Sequence, residues 1–530
     1  MSGETNAHLK TSLGGFSEIT AMSQRSINIA VDNLRKQYPD INTISIENDR
    51  GDQLDATIDH SEISLHVTGA DRSSLEYRVY FESGTLSFFA KTPLSYDVTG
   101  WLIVFDVDLN TDKLASGSDE ETRVKALLDQ AGDYWIASLF IVFNGKNIFV
   151  HFSLDRCDLK GADMSQDYLN SFGALLAKWY VNDGPFTDQQ KRTIGYGLQT
   201  AKPDTVNSQA PSFPPTSLKF QTYEYIAPGQ KDPKEGIPDG DNNVLLYLQM
   251  TGNHDFPSGA ILNYSGNFVP DGMRGTMCFE RNIIWDQYLL RETEPQLLHM
   301  LNRSTYLWVD SGSVSDPFHP EFKIGMGDTS HPGNLGFFQW NSVNGQPMNW
   351  EWQPKNSEQH IDKIYDGTTE NHLSTSSNSS AIYASGESHI NVQVDFGEGM
   401  IVPTGYKYKL HIWIEWSTEI TLEAVEDGGL QVSLNLDDDT FNVRSDPVYY
   451  DGNYIGLTRQ QVVERQEKIV DNLKAYLTKL PLHDAEKQLQ ANLKSAARFV
   501  VPGIGRLHYK NPVFNDHGDL MIEVDYRTDN

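Results

Sequence analysis

Phe514-Asn-Asp-His-Gly-Asp519-Leu-Met-Ile-Glu-Val-Asp-Tyr526, preceded by Arg498-Phe-Val-Val-Pro502-Gly503, sets the reading of this chain. The Pro-Gly pair ends a helix, the polar residues Asn515 to Asp519 form a turn, and the side chains after it alternate as a strand requires. Just upstream, Val462, Gln466, Ile469, Leu473, Tyr476 and Leu480 recur every three or four residues. The stripe resumes after Pro481 with Ala485, Leu489, Leu493 and Ala496, which predicts one amphipathic helical tract over 459–498. Helix followed by strand, in this order, predicts a helix packed on a long antiparallel sheet.

The sheet itself is legible further upstream. Ile390, Val392, Val394 and Phe396 alternate, then Tyr406, Tyr408, Leu410, Ile412, Ile414 and Trp416 do so over a longer run. Shorter alternations follow at Ile420 and Leu422 and from Leu430 to Leu436. Long antiparallel strands with one apolar face need a large apolar partner, which the helix from Arg459 supplies.

The first half has the same ingredients. Ile27, Ala30, Val31 and Leu34 mark a helix that Pro39 ends, and strands alternate through Ile63 to Val67, Leu75 to Phe81, Leu86 to Ala90 and Trp101 to Leu109. A helical period returns at Val124, Leu127, Leu128, Ala131 and Trp135, and the apolar run 136–143 is predicted to be deeply buried or a strand. A strand over 148–154 and a helix with Tyr168, Phe172, Leu175, Leu176 and Trp179 on one face complete it. Residues 1–15 are polar and predicted to be mobile. The stretch 202–215 holds four prolines among Ser, Asn and Thr and reads as a linker, dividing the chain into domains 1–205 and 206–530. Inside the second domain, 310–388 is predicted to be an irregular insert in which Trp340, Trp350 and Trp352 stand among many Gly, Pro and Asn. The fold class is α+β, mostly β.

Two segments carry a resemblance. The Phe499-x-x-Pro502-Gly503 break, then Phe514-Asn-Asp and a Gly-Asp-Leu strand ending in Tyr526, resembles the tail of the clostridial P47/OrfX family. Val244-Leu-Leu-Tyr-Leu-Gln-Met-Thr251, Phe268-Val-Pro-Asp-Gly272 and Met277-Cys-Phe-Glu-Arg-Asn-Ile-Ile-Trp285 resemble that family's middle. The resemblance implies two tubular lipid-binding (TULIP) units, each a long helix wrapped by a bent antiparallel sheet around an apolar groove. It implies no catalysis, but binding of a lipid or elongated hydrophobic small molecule, with a protein partner in a toxin-associated assembly. The insert 310–388 has no counterpart in it, and the first domain matches by element order alone. The groove residues this reading selects are Trp285, Tyr288 and Leu289 after the middle motif, Tyr408, Leu410, Ile412 and Ile414 on the long strand, and Ile469, Leu473 and Leu477 on the facing helix.

Composition narrows the partners. Forty-two basic against seventy-two acidic side chains give a net charge of −30 over 530 residues, which repels phosphates and anionic headgroups and sets nucleic acid aside. Cys157 and Cys278 cannot build a disulfide framework and are predicted to be buried thiols. The N-terminal residues contain no apolar signal core and no run approaches a membrane span, so a soluble cytoplasmic protein is expected, with release lacking a cleavable signal as the alternative.

No phosphate-cradling loop, nucleophile elbow or paired zinc-protease histidines occur, and no cofactor is expected. Asp106-Val-Asp108-Leu-Asn110-Thr-Asp112 lacks the central Gly and the closing Glu of a calcium loop and reads as a strand end. His319, His331, His360 and His372 lack tight ligand spacing, so no metal is expected. Two other functions stay open: a cofactor-free cyclase-type enzyme acting on a hydrophobic substrate, with Asp286, Glu292, His299 or His411 as acid or base, and a carbohydrate-binding protein whose exposed Trp308, Trp340, Trp350 and Trp352 stack on sugars. Against the latter, the same tryptophans are read first as pins holding the insert to the sheet.

Overall fold

A computed structural model describes residues 2–68, 75–89, 92–128, 135–144, 148, 155–199, 215–290, 297–310, 323–327, 335–360, 363–396, 405–425, 429–435, 440–452, 457–480, 499–501 and 505–526. The fold is α+β and mostly β, with long antiparallel strands and amphipathic helices. It forms two compact units, one of Met1–Glu280, Ala424–Leu430 and Asn492–Asn530, the other of Arg281–Glu423 and Gln431–Ala491. This division differs from the boundary predicted at 205, because Ser217–Tyr223 and Val244–Met250 hydrogen bond in the same sheet as Glu18–Ser23. The predicted linker lies outside the described residues except at Pro215. Among the described residues, no helix is long and apolar enough to cross a membrane.

In the second unit the strands are unusually long. Lys363–Thr375 pairs with Ala381–Phe396, which pairs in turn with Tyr406–Val425, a strand of 20 residues. Such a strand spans roughly 65 Å at the usual rise. The first of these strands and half of the second occupy the stretch expected to be irregular. Their inward positions explain why the alternation was missed, since Thr369, Asn371 and Thr375 are buried alongside Tyr365 and Leu373. Polar residues at inward positions hide the apolar period. Their buried groups are partnered: Asn371 Nδ2 donates to Asn302 Oδ1 at 2.9 Å and Thr305 Oγ1 at 2.8 Å, while Trp416 Nε1 donates to Asn371 Oδ1 at 3.2 Å. Gly386 makes room for this knot, since a Cβ there would stand 1.9 Å from Asn371 Oδ1.

The tryptophans of this unit are mostly interior. Trp340, Trp350 and Trp352 are buried, with Trp340 Nε1 donating to the Leu298 carbonyl and Trp352 Nε1 to that of Phe337, both at 2.7 Å. They pin the segment, and the reading in which these three stack on a sugar is overturned by their burial. Trp308 is half-buried.

The first unit carries a fourteen-stranded sheet. Val244–Met250 is buried at every position, as a continuous apolar run requires, and lies between Glu18–Ser23 and Ser217–Tyr223. The helix Gln24–Gln37 begins where Ser23 Oγ accepts the Ser26 N–H at 3.3 Å, and it lays Ile27, Ala30, Val31 and Leu34 on Gln53–Leu65. Asp119–Leu128 is helical and Trp135–Val142 a strand, while the helix Gln166–Ala177 runs on as a π-turn over Lys178–Asp183. The strand predicted at 148–154 lies outside the described residues except at Ile148.

Three expectations about the chain ends change. The helix from Arg459 and the final strand do not share a unit: Arg459–Leu477 belongs to the second, and Leu520–Tyr526 runs between Gly275–Phe279 and Gly505–Phe514 in the first. Phe499–Val501 is a strand paired with Thr193–Gln199 rather than a helix end, and residues 481–498 of the predicted tract lie outside the described residues. Nor are the first fifteen residues loose. Gly3–Leu9 is a helix capped by Ser2, and His8, Leu9, Thr11 and Leu13 are buried.

What holds them is the turn Asn515–Asp519. Asn515 is fully buried; its Nδ2 donates to the Thr11 carbonyl at 2.8 Å and to Asp519 Oδ2 at 3.0 Å. Its Oδ1 accepts the N–H groups of His517 and Asp519, both at 2.9 Å, and the Asp516 N–H donates to the Leu9 carbonyl at 2.9 Å. An Asn515→Ala substitution removes the four side-chain bonds to Thr11, His517 and Asp519 from a buried turn, so we expect a loss of about 2–4 kcal/mol. Urea denaturation of the full chain checks it: an unchanged midpoint would mean that the turn does not secure the N-terminal segment.

Candidate ligand-binding site

Seven of the ten residues selected from the sequence meet in one layer of the second unit. Tyr408, Leu410, Ile412 and Ile414 point to one face of Tyr406–Val425, because side chains two apart share a face. Their cross-strand partners Val394, Val392, Ile390 and Ser388 continue that face onto the neighbouring strand. Over it lies the helix Arg459–Leu477, which presents Val462, Leu473 and Leu477 to the same cluster, with Ile469 packed against its edge. Thr458 starts the helix with a reciprocal capping box, Gln461 Oε1 accepting the Thr458 N–H at 2.8 Å. The buried Gln466 fixes its rotation by donating to the Asp446 carbonyl at 2.7 Å.

The layer is buried in its middle and half-buried along both flanks of the helix stripe. Leu410, Ile412, Ile414, Leu473 and Leu477 are buried. Val463, Ile469, Val470, Tyr476 and Leu480 are only half-buried, an apolar seam where the helix meets the sheet. Gly327 permits the close approach of Tyr476: a Cβ there would stand 2.1 Å from the tyrosine hydroxyl, and its φ of +82° suits glycine. Sequence reading missed Tyr365, a wall of this layer, because it falls in a strand whose inward period is broken by Thr369 and Asn371.

The other three selected residues are elsewhere. Trp285, Tyr288 and Leu289 occupy a single π-helical turn and are buried, with Trp285 packed on Trp350 at 4.1 Å between ring centroids. They are not members of the helix–sheet cluster. Arg281 lies over the other partner of that stack, 5.3 Å from the Trp350 ring, and pairs with Asp286 at 3.7 Å.

The acid–base candidates are scattered among these elements. Burial pushes the Asp286 carboxyl up from its usual range, although Arg281 opposes this. His299 is buried on the helix Leu297–Thr305, His411 lies on the opposite side of Tyr406–Val425 from Leu410 and Ile412, and Glu292 lies outside the described residues. Of the four histidines weighed for a metal, His319 and His331 lie outside the described residues and His372 is exposed beside Glu370. Among the described residues, no group of three or more His, Cys, Asp or Glu is placed to hold a metal ion.

In the first unit the Asp106 stretch is structural. Asp106 and Glu76 both accept from Arg156 Nη1, at 2.7 and 2.8 Å. Burial raises the Glu76 carboxyl, but hydrogen bonds from Arg156 and Arg78 outweigh it and hold the group below its usual range. Cys278 is buried, and Cys157 is half-buried with its thiol pushed up to about 11 by burial.

No family model matches the sequence, and no curated protein matches it either. Solved structures do. P47 of Clostridium botulinum E1 is 12% identical, with a TM-score of 0.47 over 97% of this chain and 99% of that one. P47 from Clostridium botulinum A2 is also 12% identical, with a TM-score of 0.43 over 97% and 98%. A lipopolysaccharide binding protein is 10% identical, with a TM-score of 0.28 over 97% and 99%. P47 is the family whose tail and middle the two sequence segments resemble.

His299 gives the second unit a measurable signature. Both ring nitrogens are buried without a hydrogen-bond partner among the described residues, and burial lowers the pKa from 6.5 to about 4. The ring is therefore neutral in the folded chain. Below pH 6.5 the unfolded chain takes up a proton that the folded chain refuses until about pH 4, so stability falls as pH falls through that window. The loss reaches at most roughly 3 kcal/mol. Urea midpoints between pH 7.5 and 4.5 should decline in the parent and decline less in His299→Leu; equal slopes would assign the decline to other groups.

Proposed function

We propose that this chain binds a lipid or another elongated apolar ligand, without catalysis, in the layer between Tyr406–Val425 and Arg459–Leu477. The observation that carries the reading is the apolar seam: half-buried Val463, Ile469, Val470 and Tyr476 border a sealed apolar interior. A ligand chain that entered there would lie against Leu410, Ile412, Leu473 and Leu477 and complete the burial of the seam. A dozen methylenes would contribute roughly 10 kcal/mol before ordering costs, at about 0.8 kcal/mol each. That energy needs no polar motif, in keeping with the absence of one in the sequence. Trp285, Tyr288 and Leu289 are left out of the site, since Trp285 is already packed on Trp350.

The resemblance of the two sequence segments to P47/OrfX proteins supports extending the reading to a toxin-associated assembly with a protein partner. The charge of −30 favours a basic partner over an anionic membrane.

Native mass spectrometry of the purified chain, followed by organic extraction, tests the binding. Close to one acyl lipid per chain is expected, and Ile469→Asp should lower its occupancy about tenfold while leaving the fold intact. An apo mass that is unchanged after incubation with phosphatidylcholine vesicles and oleate would show the layer to be closed core.

A further inference from the structure

The opposite face of the same strands carries a different chemistry. Two cross-strand rows face outward there. One runs Asp366, Asn391, His411 and Asp446; the next runs Ile364, Gln393, Lys409 and Tyr449. With the segment Asp446–Tyr449 as a wall, they floor a cleft of about 550 Å3. Four strands at their usual spacing give it a width of roughly 14 Å, enough for one or two sugar rings.

Several features separate this patch from an ordinary solvated face. Cross-strand neighbours on such a face usually neutralise one another, as Lys407 and Asp395 do one step along the same strands. Asp366 and Lys409, in contrast, make no ion pair among the described residues, and two primary amides stand between the charges. The ends of the second row are apolar and exposed. Ile364 at 42% and Tyr449 at 51% are two of the five large apolar side chains that stand most exposed among the described residues.

His411 stands at the back of the cleft in a chain of contacts. Its Nδ1 lies 2.8 Å from Asp446 Oδ2 and its Nε2 lies 3.2 Å from His389 Nδ1, while His389 Nε2 lies 2.7 Å from Glu387 Oε1. This chain of contacts ends at the Asp446 carboxylate, which forms part of the cleft wall.

We infer that this cleft binds a neutral, hydroxyl-rich ring, of the pyranose class. A hydroxyl both donates and accepts, and the floor supplies both roles side by side: Lys409, Asn391 and Gln393 donate, while Asp366, Asp446 and the amide oxygens accept. Carboxylates on either side of Lys409 disfavour a phosphate or sulfate, and Lys409 disfavours a cation. Tyr449 offers a ring face with a polar tip, suited to the apolar side of a sugar. Because it lies on the other face of the sheet, this site stands or falls independently of the apolar layer.

Saturation-transfer NMR of the full chain with glucose, galactose, mannose and N-acetylglucosamine is the test. We expect transfer to at least one sugar, with Asp366→Ala, Lys409→Ala and Tyr449→Ala each weakening it about tenfold. These side chains are exposed, so the fold and acyl-chain loading should be unchanged in all three variants. No transfer from any of the four sugars, or transfer that none of the variants weakens, overturns the inference. A response confined to glucose 6-phosphate would also overturn it, since the site would then select an anion.

Discussion

A strand of twenty residues that turns Tyr408, Leu410, Ile412 and Ile414 to one side cannot leave that side in water. At about 25 cal/mol per Å2 of apolar surface, covering such a face outweighs any single polar interaction in the unit. Most of what is seen in the second unit follows from this. The neighbouring strand matches its apolar period at Ile390, Val392 and Val394, the helix Arg459–Leu477 lies across them, and Gln466 fixes the helix rotation through the Asp446 carbonyl. Asp446 is thereby shared between two faces of one sheet: its carbonyl serves the helix over the apolar layer, and its carboxylate pairs with His411 on the outer side. Two chemically unlike surfaces, one apolar and one hydroxyl-compatible, are consequences of one pleat.

Polar groups do much of the specifying inside both units. Asn371 ties Asn302, Thr305 and Trp416 into one knot, and Asn515 ties the N-terminal segment to the last hairpin of the first unit. A buried amide with all its bonds made tolerates only one arrangement of its neighbours, because any other leaves donors or acceptors stranded at a cost of about 1–3 kcal/mol each. Apolar packing alone accepts more alternatives. His299 is the counter-example, a buried ring with neither nitrogen partnered among the described residues, and it remains neutral for that reason.

Where the sequence was legible, the reason is periodicity. The stripe from Val462 to Leu480, the alternation in Tyr406–Val425 and the apolar run Val244–Met250 each carry one physical instruction repeated many times. Where it was not, the instruction was replaced by a local exchange. Thr369 and Asn371 occupy inward positions that an apolar count reads as surface, so a pair of long strands passed for an irregular insert. The first fifteen residues look mobile because they are polar, yet their carbonyls are partners for a turn five hundred residues away.

By itself, the sequence determined the element types, the α+β class with its preponderance of strand, the faces that must be covered and the charge that limits partners. These depend on composition and on spacing along the chain. Only the tertiary structure decided which helix covers which strands, that the last strand joins the unit built on the first, that the tryptophans of the insert are interior, and that Asp366, Asn391, His411 and Asp446 stand in one row. These depend on pairing between residues far apart in sequence, and cross-strand register leaves no signal at a fixed spacing.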